Sequence, residues 1–131
     1  MKKDIEIPVV EKVYVAVVQE LNKEHNEKDW VAYIINDQEV DLEMALIVSE
    51  GYSKTKKTTK FRHSIQNLPK KSYAKIELLQ EQVFELNNLF YVTFFAEGKM
   101  YEKKYLFRKN TINEKALQDI PLMDVRGVLV K

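Results

Sequence analysis

The chain has 131 residues, of which 45% are hydrophobic and 31% are charged, and its formal net charge is +1. This length suits one domain around one core, and the composition is that of an ordinary globular protein. We therefore expect a single globular β-rich domain over residues 1–131. The sequence contains no cysteine, which excludes disulfide scaffolds, thiolate metal sites, iron–sulfur clusters and cysteine nucleophiles.

The beginning of the sequence bears on the compartment. Asp4, Glu6, Pro8 and Glu11 interrupt the stretch that would have to be apolar in a secretory signal peptide. The longest apolar run nearby, residues 13–18, is far shorter than a membrane span. The absence of cysteine also fits a reducing compartment. We expect a cytoplasmic protein that does not associate with membranes.

The small net charge hides an uneven distribution of charged residues. Residues 1–50 contain 5 Lys/Arg and 12 Asp/Glu, residues 51–76 contain 8 and none, and residues 77–131 contain 8 and 8. These counts sum to the 21 basic and 20 acidic residues of the whole chain. The middle of the chain therefore carries a charge of +8 by itself.

The first element along the chain, in residues 8–24, is ambiguous between helix and strand. Its apolar residues fall at helical spacing, and Pro8 would suit the first position of a helix. Residues 13–18 are mostly β-branched or aromatic, however, and such side chains favour a sheet. We favour a strand here and keep the helix as the alternative.

The rest of the chain is typical of short strands separated by polar turns. Strands are predicted at residues 30–35, 44–48, 61–65, 73–79, 89–96, 100–108 and 125–130, with one helical turn or a short helix within residues 112–120. The sequence therefore predicts a mainly β fold, an antiparallel β-sandwich or partly closed barrel of seven to eight short strands with at most one or two short helices. The alternative is an α+β fold with an N-terminal helix at residues 8–24.

Alternation along these strands predicts which side chains are buried. We expect one core, to which the following residues contribute: Trp30, Tyr33, Ile35, Leu46, Val48, Ile76, Leu78, Val92 and Phe94.

Motifs that would indicate catalysis or metal binding are missing. His25 lies in a charged stretch typical of a solvated turn, and His63 would act as a base only if the fold brought a carboxylate such as Glu50 or Glu77 to it. The acidic alternation of residues 37–43 lacks the glycine and the final glutamate of a calcium loop. The three glycines are too far apart for a nucleotide cradle. We expect no catalytic residues, no metal site and no cofactor.

One segment, which we call the basic segment 54–75, contains cations and no acidic residue. Such a lysine-rich stretch is either a solvated edge that discourages strand pairing or a row of cations that binds phosphates. In the second case, tyrosines close to the cations would stack on bases. The candidate nucleic-acid-binding residues are Lys54, Lys56, Lys57, Lys60, Arg62, Lys70, Lys71, Lys75, Tyr52 and Tyr73. Phe61 is expected to point the opposite way, into the core.

Four stretches carry a resemblance to a known family: WVAYIIN at 30–36, VSEGY at 48–52, KTTKFRH at 57–63 and NNLFYV at 87–92. In them the chain resembles a small bacterial family of single-domain proteins of unknown function, some of which bear a label naming the phenylalanyl-tRNA synthetase alpha subunit. The chain is short for an aminoacylation domain and shows no arginine-bearing motif in a glycine-rich context. The resemblance therefore implies a family and no activity.

Three functions follow as hypotheses, in decreasing order of support. The first is a non-catalytic protein-interaction or structural module, with an unknown protein partner or self-association. The second is a nucleic-acid-binding accessory domain that uses the basic segment 54–75 to bind RNA or another polyanion. The third is an enzyme with a dispersed active site, which would require a deep pocket holding His63 and a carboxylate.

Overall fold

The computed structural model describes residues 8–131, which form strands and short turns. The strands are Val13–Asn22 (β1), Glu27–Asn36 (β2), Leu42–Tyr52 (β3), Phe61–Leu68 (β4), Ser72–Leu79 (β5), Asn87–Ala96 (β6), Lys99–Phe107 (β7), Gln118–Asp119 (β8) and Arg126–Val130 (β9). Two 3-10 turns, Glu81–Glu85 and Glu114–Ala116, complete the regular elements. None of the described helical turns has the length and apolarity needed to cross a lipid bilayer.

The strands form two antiparallel sheets. The five-stranded sheet has the order β5-β2-β1-β9-β8, and the four-stranded sheet has the order β4-β3-β6-β7. The main core lies between the two sheets. The predicted mainly β fold and β-sandwich are confirmed, with nine strands in the described residues, of which β8 has only two residues.

The alternative of an N-terminal helix at residues 8–24 is wrong, because β1 occupies most of that stretch. The helical spacing arose because β1 is buried on both faces. Val15 and Val17 point into the main core, whereas Ala16 and Val18 belong to a second apolar cluster on the other side of the sheet. A strand covered on both faces shows no alternation of polar and apolar residues, so its periodicity resembles that of a buried helix.

The second apolar cluster explains why the prediction of one core is only partly right. The C-terminal residues Ile120 and Met123 pack over Tyr33 and Ile35, on the side of the five-stranded sheet that faces away from the main core. The predicted core residues Trp30, Ile76, Val92 and Phe94 do lie in the main core between the sheets. The domain therefore has three layers at this position, with the C-terminal segment as the third.

Two predicted core residues in β3 point outward instead. Leu46 is 44% exposed and Val48 is half-buried, whereas their neighbours Ala45 and Ile47 are fully buried. The reason is a β-bulge at Met44, whose φ is 52°. The pairing register of β3 with β6 shifts between Glu43 and Leu46. A bulge inserts one residue and thereby moves every later side chain to the opposite face.

Two further expectations of burial are wrong. Leu78 is 54% exposed, and the next residue, Leu79, enters the core instead because the pairing of β2 with β5 is also irregular. Phe61 is 55% exposed, since it lies at the first position of β4, on the rim of the sandwich. Predicted face assignments hold only as far as the next bulge or strand end.

Local sequence accounts for the turns that set the position of the strands. The turn between β6 and β7 contains Glu97 and Gly98, which both have positive φ, as a two-residue hairpin of this type requires. At the same end of the sandwich, the fully buried Asn36 donates hydrogen bonds to the carbonyl oxygens of Val40, Leu68 and Pro69. Asn36 thus ties the loop between the sheets to the turn between β4 and β5.

Candidate functional site

The two sheets differ most in how far their outward faces are covered. The outward face of the four-stranded sheet is here called the outer face. Four apolar side chains on it are 38–49% exposed, and they are Met44, Leu46, Phe95 and Met100. Phe95 pairs directly with Met100, and Leu46 pairs with Thr93 on the same face. The C-terminal segment covers the five-stranded sheet, whereas no part of residues 8–131 covers these four side chains.

Charged side chains surround the apolar part of the outer face in balanced numbers. Strand register places Arg62 beside Val48 and Lys104 beside Tyr91, and Lys60 lies 4.0 Å from Glu50. The three cations on this face are Lys60, Arg62 and Lys104, and the three carboxylates are Glu43, Glu50 and Glu102. These six charges balance one another.

A different surface gathers cations at one end of the sandwich. The loop between β3 and β4 meets the segment that follows β7, and together they line two adjoining clefts of about 570 and 720 Å³ that share Ser53, Lys54 and Thr55. We call this surface the basic end, and its cations are Lys54, Lys56, Lys57, Arg108 and Lys109. Within residues 8–131, none of these five is within 4.0 Å of a carboxylate oxygen.

Backbone hydrogen bonds hold both loops of the basic end in defined conformations. The Ser53 N–H donates to the carbonyl of Lys56, and the Ser53 hydroxyl accepts from the N–H of Lys56, at 2.8 and 3.0 Å. The Thr58 N–H donates to the Gly51 carbonyl, so the loop folds back on the end of β3. In the second loop, the Lys109 N–H donates to Asn87 Oδ1 at 2.9 Å. Such bonds limit the conformational entropy that the loops would lose on binding a ligand.

The structure separates the candidate nucleic-acid-binding residues into four groups, one of which, Lys60 and Arg62, lies on the outer face. Tyr52, Lys54, Lys56 and Lys57 line the first cleft of the basic end. The turn between β4 and β5, which contains Lys70 and Lys71, lies at the far end of the eight-residue β4, about 25 Å away at 3.3 Å per residue.

The cations at the far end lie among acidic residues. Lys71 Nζ is 3.0 Å from Asp37 and 3.1 Å from Glu39, and the ion pairs raise the pKa of its ammonium group. The backbone N–H of Lys70 donates to Asp41 at 2.8 Å. This turn is therefore a mixed-charge surface without a net excess of cations.

The remaining two candidates lie on β5, in the other sheet. Lys75 is exposed opposite Tyr33, and Tyr73 makes an edge-to-face contact with the Tyr33 ring at 5.8 Å. Tyr73 is 44% exposed, but the cations of the basic end do not surround it. The structure thus leaves Tyr52 as the aromatic ring beside the clustered cations.

His63 does meet one of the carboxylates considered for it. Glu77 Oε1 is 2.8 Å from His63 Nε2 and 2.5 Å from Ser49 Oγ, which donates to it. In a serine hydrolase the histidine lies between the serine and the acid, whereas here the acid lies between the other two. Ser49 is 4% exposed and the adjoining cavity has a volume of about 60 Å³, well below the 300–1,000 Å³ of ordinary ligand sites. This arrangement serves to join the sheets.

No group of three or more potential metal ligands occurs in the part of the chain that the structure describes. The acidic residues of the loop between β2 and β3 instead bind the turn between β4 and β5, as described for Asp37, Glu39 and Asp41. These carboxylates connect two loops; Glu39 and Asp41 are exposed to solvent and Asp37 is half-buried.

The sequence did not indicate two parts of these surfaces. Arg108 and Lys109 are adjacent, but they lie in residues 77–131, where basic and acidic residues balance, so no local excess of charge marked them. Their only signal was the absence of an acidic residue between Glu102 and Glu114. The outer face was missed because the bulge at Met44 reverses the expected orientation of β3.

Comparison of the chain with protein-family models, with curated proteins and with solved structures gives no match. The fold defines the molecule as a two-sheet antiparallel β-sandwich. The resemblance to a bacterial single-domain family stays an expectation from the sequence.

Proposed function

We propose that this protein is a non-catalytic interaction module that self-associates through the outer face of the four-stranded sheet. The observation that carries the proposal is the uncovered apolar group of Met44, Leu46, Phe95 and Met100, which lies on the outer face near the hairpin turn between β6 and β7. Contiguous exposed apolar side chains with a polar rim are typical of protein interfaces.

The size of the outer face is adequate for a stable dimer. Four strands about 4.8 Å apart and roughly nine residues long cover about 19 by 30 Å. This projected area of about 570 Å² corresponds to a larger accessible area once side-chain relief is included, near the roughly 800 Å² per partner of standard interfaces. Two such faces can pack at about 10 Å, as sheets do within a sandwich.

The charges on this face favour a second copy of the chain over a partner with charge of one sign. Lys60, Arg62 and Lys104 are balanced by Glu43, Glu50 and Glu102, so two copies meet without net repulsion. In a two-fold dimer the same patch faces itself, and a face that carries both signs can be self-complementary. A polyanion would gain no net attraction from it.

The proposal is tested by measuring the mass of the protein in solution. We expect the wild-type chain to have twice its monomer mass in multi-angle light scattering at about 100 µM, well above the micromolar limit of ordinary interfaces. Replacing Leu46 and Phe95 together with Glu should give a monomer, because four carboxylates would then face one another in the dimer.

Leu122→Glu is the matched control, because Leu122 is 41% exposed but lies in the C-terminal segment, away from the outer face. This variant should remain a dimer. A monomeric wild-type chain at that concentration would overturn the proposal. So would a dimer that survives the double substitution in a protein whose circular dichroism spectrum is unchanged.

A further inference from the structure

We infer that the basic end is a binding site for single-stranded nucleic acid, a function that goes beyond self-association. The basic end adjoins the outer face, and Glu50 belongs to both. The phosphates of the strand would contact Lys54, Lys56, Lys57, Arg108 and Lys109, and a base would stack on Tyr52. The inference depends on the convergence of two loops that are about fifty residues apart in the chain.

The charge of the basic end suits a polyanion. Its five cations line adjoining clefts, and Glu50 is the acidic residue among those that line them. Lys60 Nζ lies 4.0 Å from Glu50 and offsets part of that negative charge. Within the described residues, none of the five cations has a carboxylate oxygen within 4.0 Å. Closely spaced cations without counter-charges bind phosphates and release their counterions.

The polar groups around the cations also fit a nucleotide backbone. Ser53, Thr55 and Thr111 place hydroxyl groups along the clefts, and Asn87 adds an amide. Side chains of these types bind phosphate and sugar oxygens in nucleic-acid complexes. The loops are held by hydrogen bonds, so the cations project from a defined backbone.

One feature distinguishes a single strand from other polyanions. Tyr52 is half-buried in the same cleft as Lys54, where its ring is available to stack on an unpaired base. Inorganic polyphosphate has no base that could stack on this ring.

The test measures the affinity of the full chain for labelled oligonucleotides of about 12 nucleotides, RNA and DNA of one mixed sequence, by fluorescence anisotropy. If all five cations contact phosphates, log K should fall against log salt with a slope of about −3.5, at about 0.7 per contact for single strands. Replacing Lys54 and Lys109 with Gln should make this slope shallower by about 1.4.

The matched control removes two lysines elsewhere, Lys70→Gln with Lys75→Gln, which changes the net charge equally but lies outside the basic end. Its salt slope should equal that of the wild type. If both double variants reduce the slope equally, binding reflects only net charge and the site is refuted. Absence of binding at low salt would also refute it.

A third arm separates nucleic acid from other phosphate polymers. Tyr52→Ala should weaken binding of both oligonucleotides about fivefold or more, because one base loses its stacking partner, and should leave binding of inorganic polyphosphate unchanged. Equal effects on polyphosphate and oligonucleotides would overturn the assignment to nucleic acid. Light scattering of the Lys54→Gln, Lys109→Gln variant should still show the dimer, so failure of this inference is distinguishable from failure of the proposed self-association.

Discussion

Glu77 and His63 form a contact between the two sheets, with Glu77 Oε1 2.8 Å from His63 Nε2. Glu77 belongs to β5 at the edge of the five-stranded sheet, and His63 belongs to β4 at the edge of the four-stranded sheet. Ser49 donates a second hydrogen bond to the same carboxylate oxygen. The Glu77 carboxylate oxygen therefore connects β3, β4 and β5 at one corner of the sandwich.

We expect this contact to stabilise the fold. Glu77→Ala should lower the free energy of unfolding by about 1–3 kcal/mol, because Ser49 and His63 then lose their partner in a mostly buried place. The measurement is urea denaturation followed by circular dichroism. A double-mutant cycle with His63→Gln should give a coupling energy of about 0.5–3 kcal/mol. Additive effects would show that the two side chains do not interact.

Phe94 and Phe95 allow a test of the orientation of β6. Phe94 is fully buried in the main core, whereas the adjacent Phe95 is 38% exposed on the outer face. Phe94→Ala should cost about 3–5 kcal/mol of stability. Phe95→Ala should cost less than about 1.5 kcal/mol. Both substitutions are measured in the Leu46→Glu background, which weakens self-association. Equal costs would contradict the assigned faces of this strand.

Asn36 should contribute to stability through its hydrogen bonds. It is fully buried and donates to three carbonyl oxygens, those of Val40, Leu68 and Pro69. Asn36→Ala leaves these acceptors without a donor and should cost about 1–3 kcal/mol in chemical denaturation. Asn67→Ala, at an exposed position of β4, is the control and should change stability by less than about 0.5 kcal/mol. A larger loss in the control would contradict this account.

Tyr105 should make the protein sensitive to alkaline pH. Burial, and to a smaller extent repulsion from Tyr14, raises the pKa of the Tyr105 hydroxyl above its ordinary value of 10.0. This hydroxyl donates to the Val13 carbonyl at 2.5 Å. Between the ordinary pKa and the raised one, the unfolded chain releases a proton that the folded chain keeps. Stability should therefore fall above about pH 10, by up to about 1.4 kcal/mol per pH unit for this residue.

The variant that checks this effect is Tyr105→Phe. It should be less stable at neutral pH because the hydrogen bond is lost, but its stability should fall less steeply above pH 10. Denaturation curves between pH 9 and pH 11.5 provide the comparison. Tyr33 should add to the effect in the same direction, since burial and its hydrogen bond to Glu20 also raise its pKa. An unchanged slope in Tyr105→Phe would contradict the role of this residue.

The sequence by itself determined the fold class. Short runs of β-branched and aromatic residues between polar turns predicted the strands, and β6 and β7 were recognised almost to their ends because Glu97-Gly98 forms a two-residue hairpin. Burial on one face makes such strands alternate visibly. In β1, by contrast, both faces are covered, so only the tertiary structure excluded a helix at residues 8–24.

Tertiary structure also decided which surfaces are candidates for function. The bulge at Met44 turned Leu46 outward, and side-chain orientation after a bulge depends on backbone geometry that residue types do not specify. The basic end required the approach of Lys54 and Arg108, which are distant in sequence. The local charge count indicated Lys54 but not Arg108. The contact between these distant segments exists only after the sheets have paired.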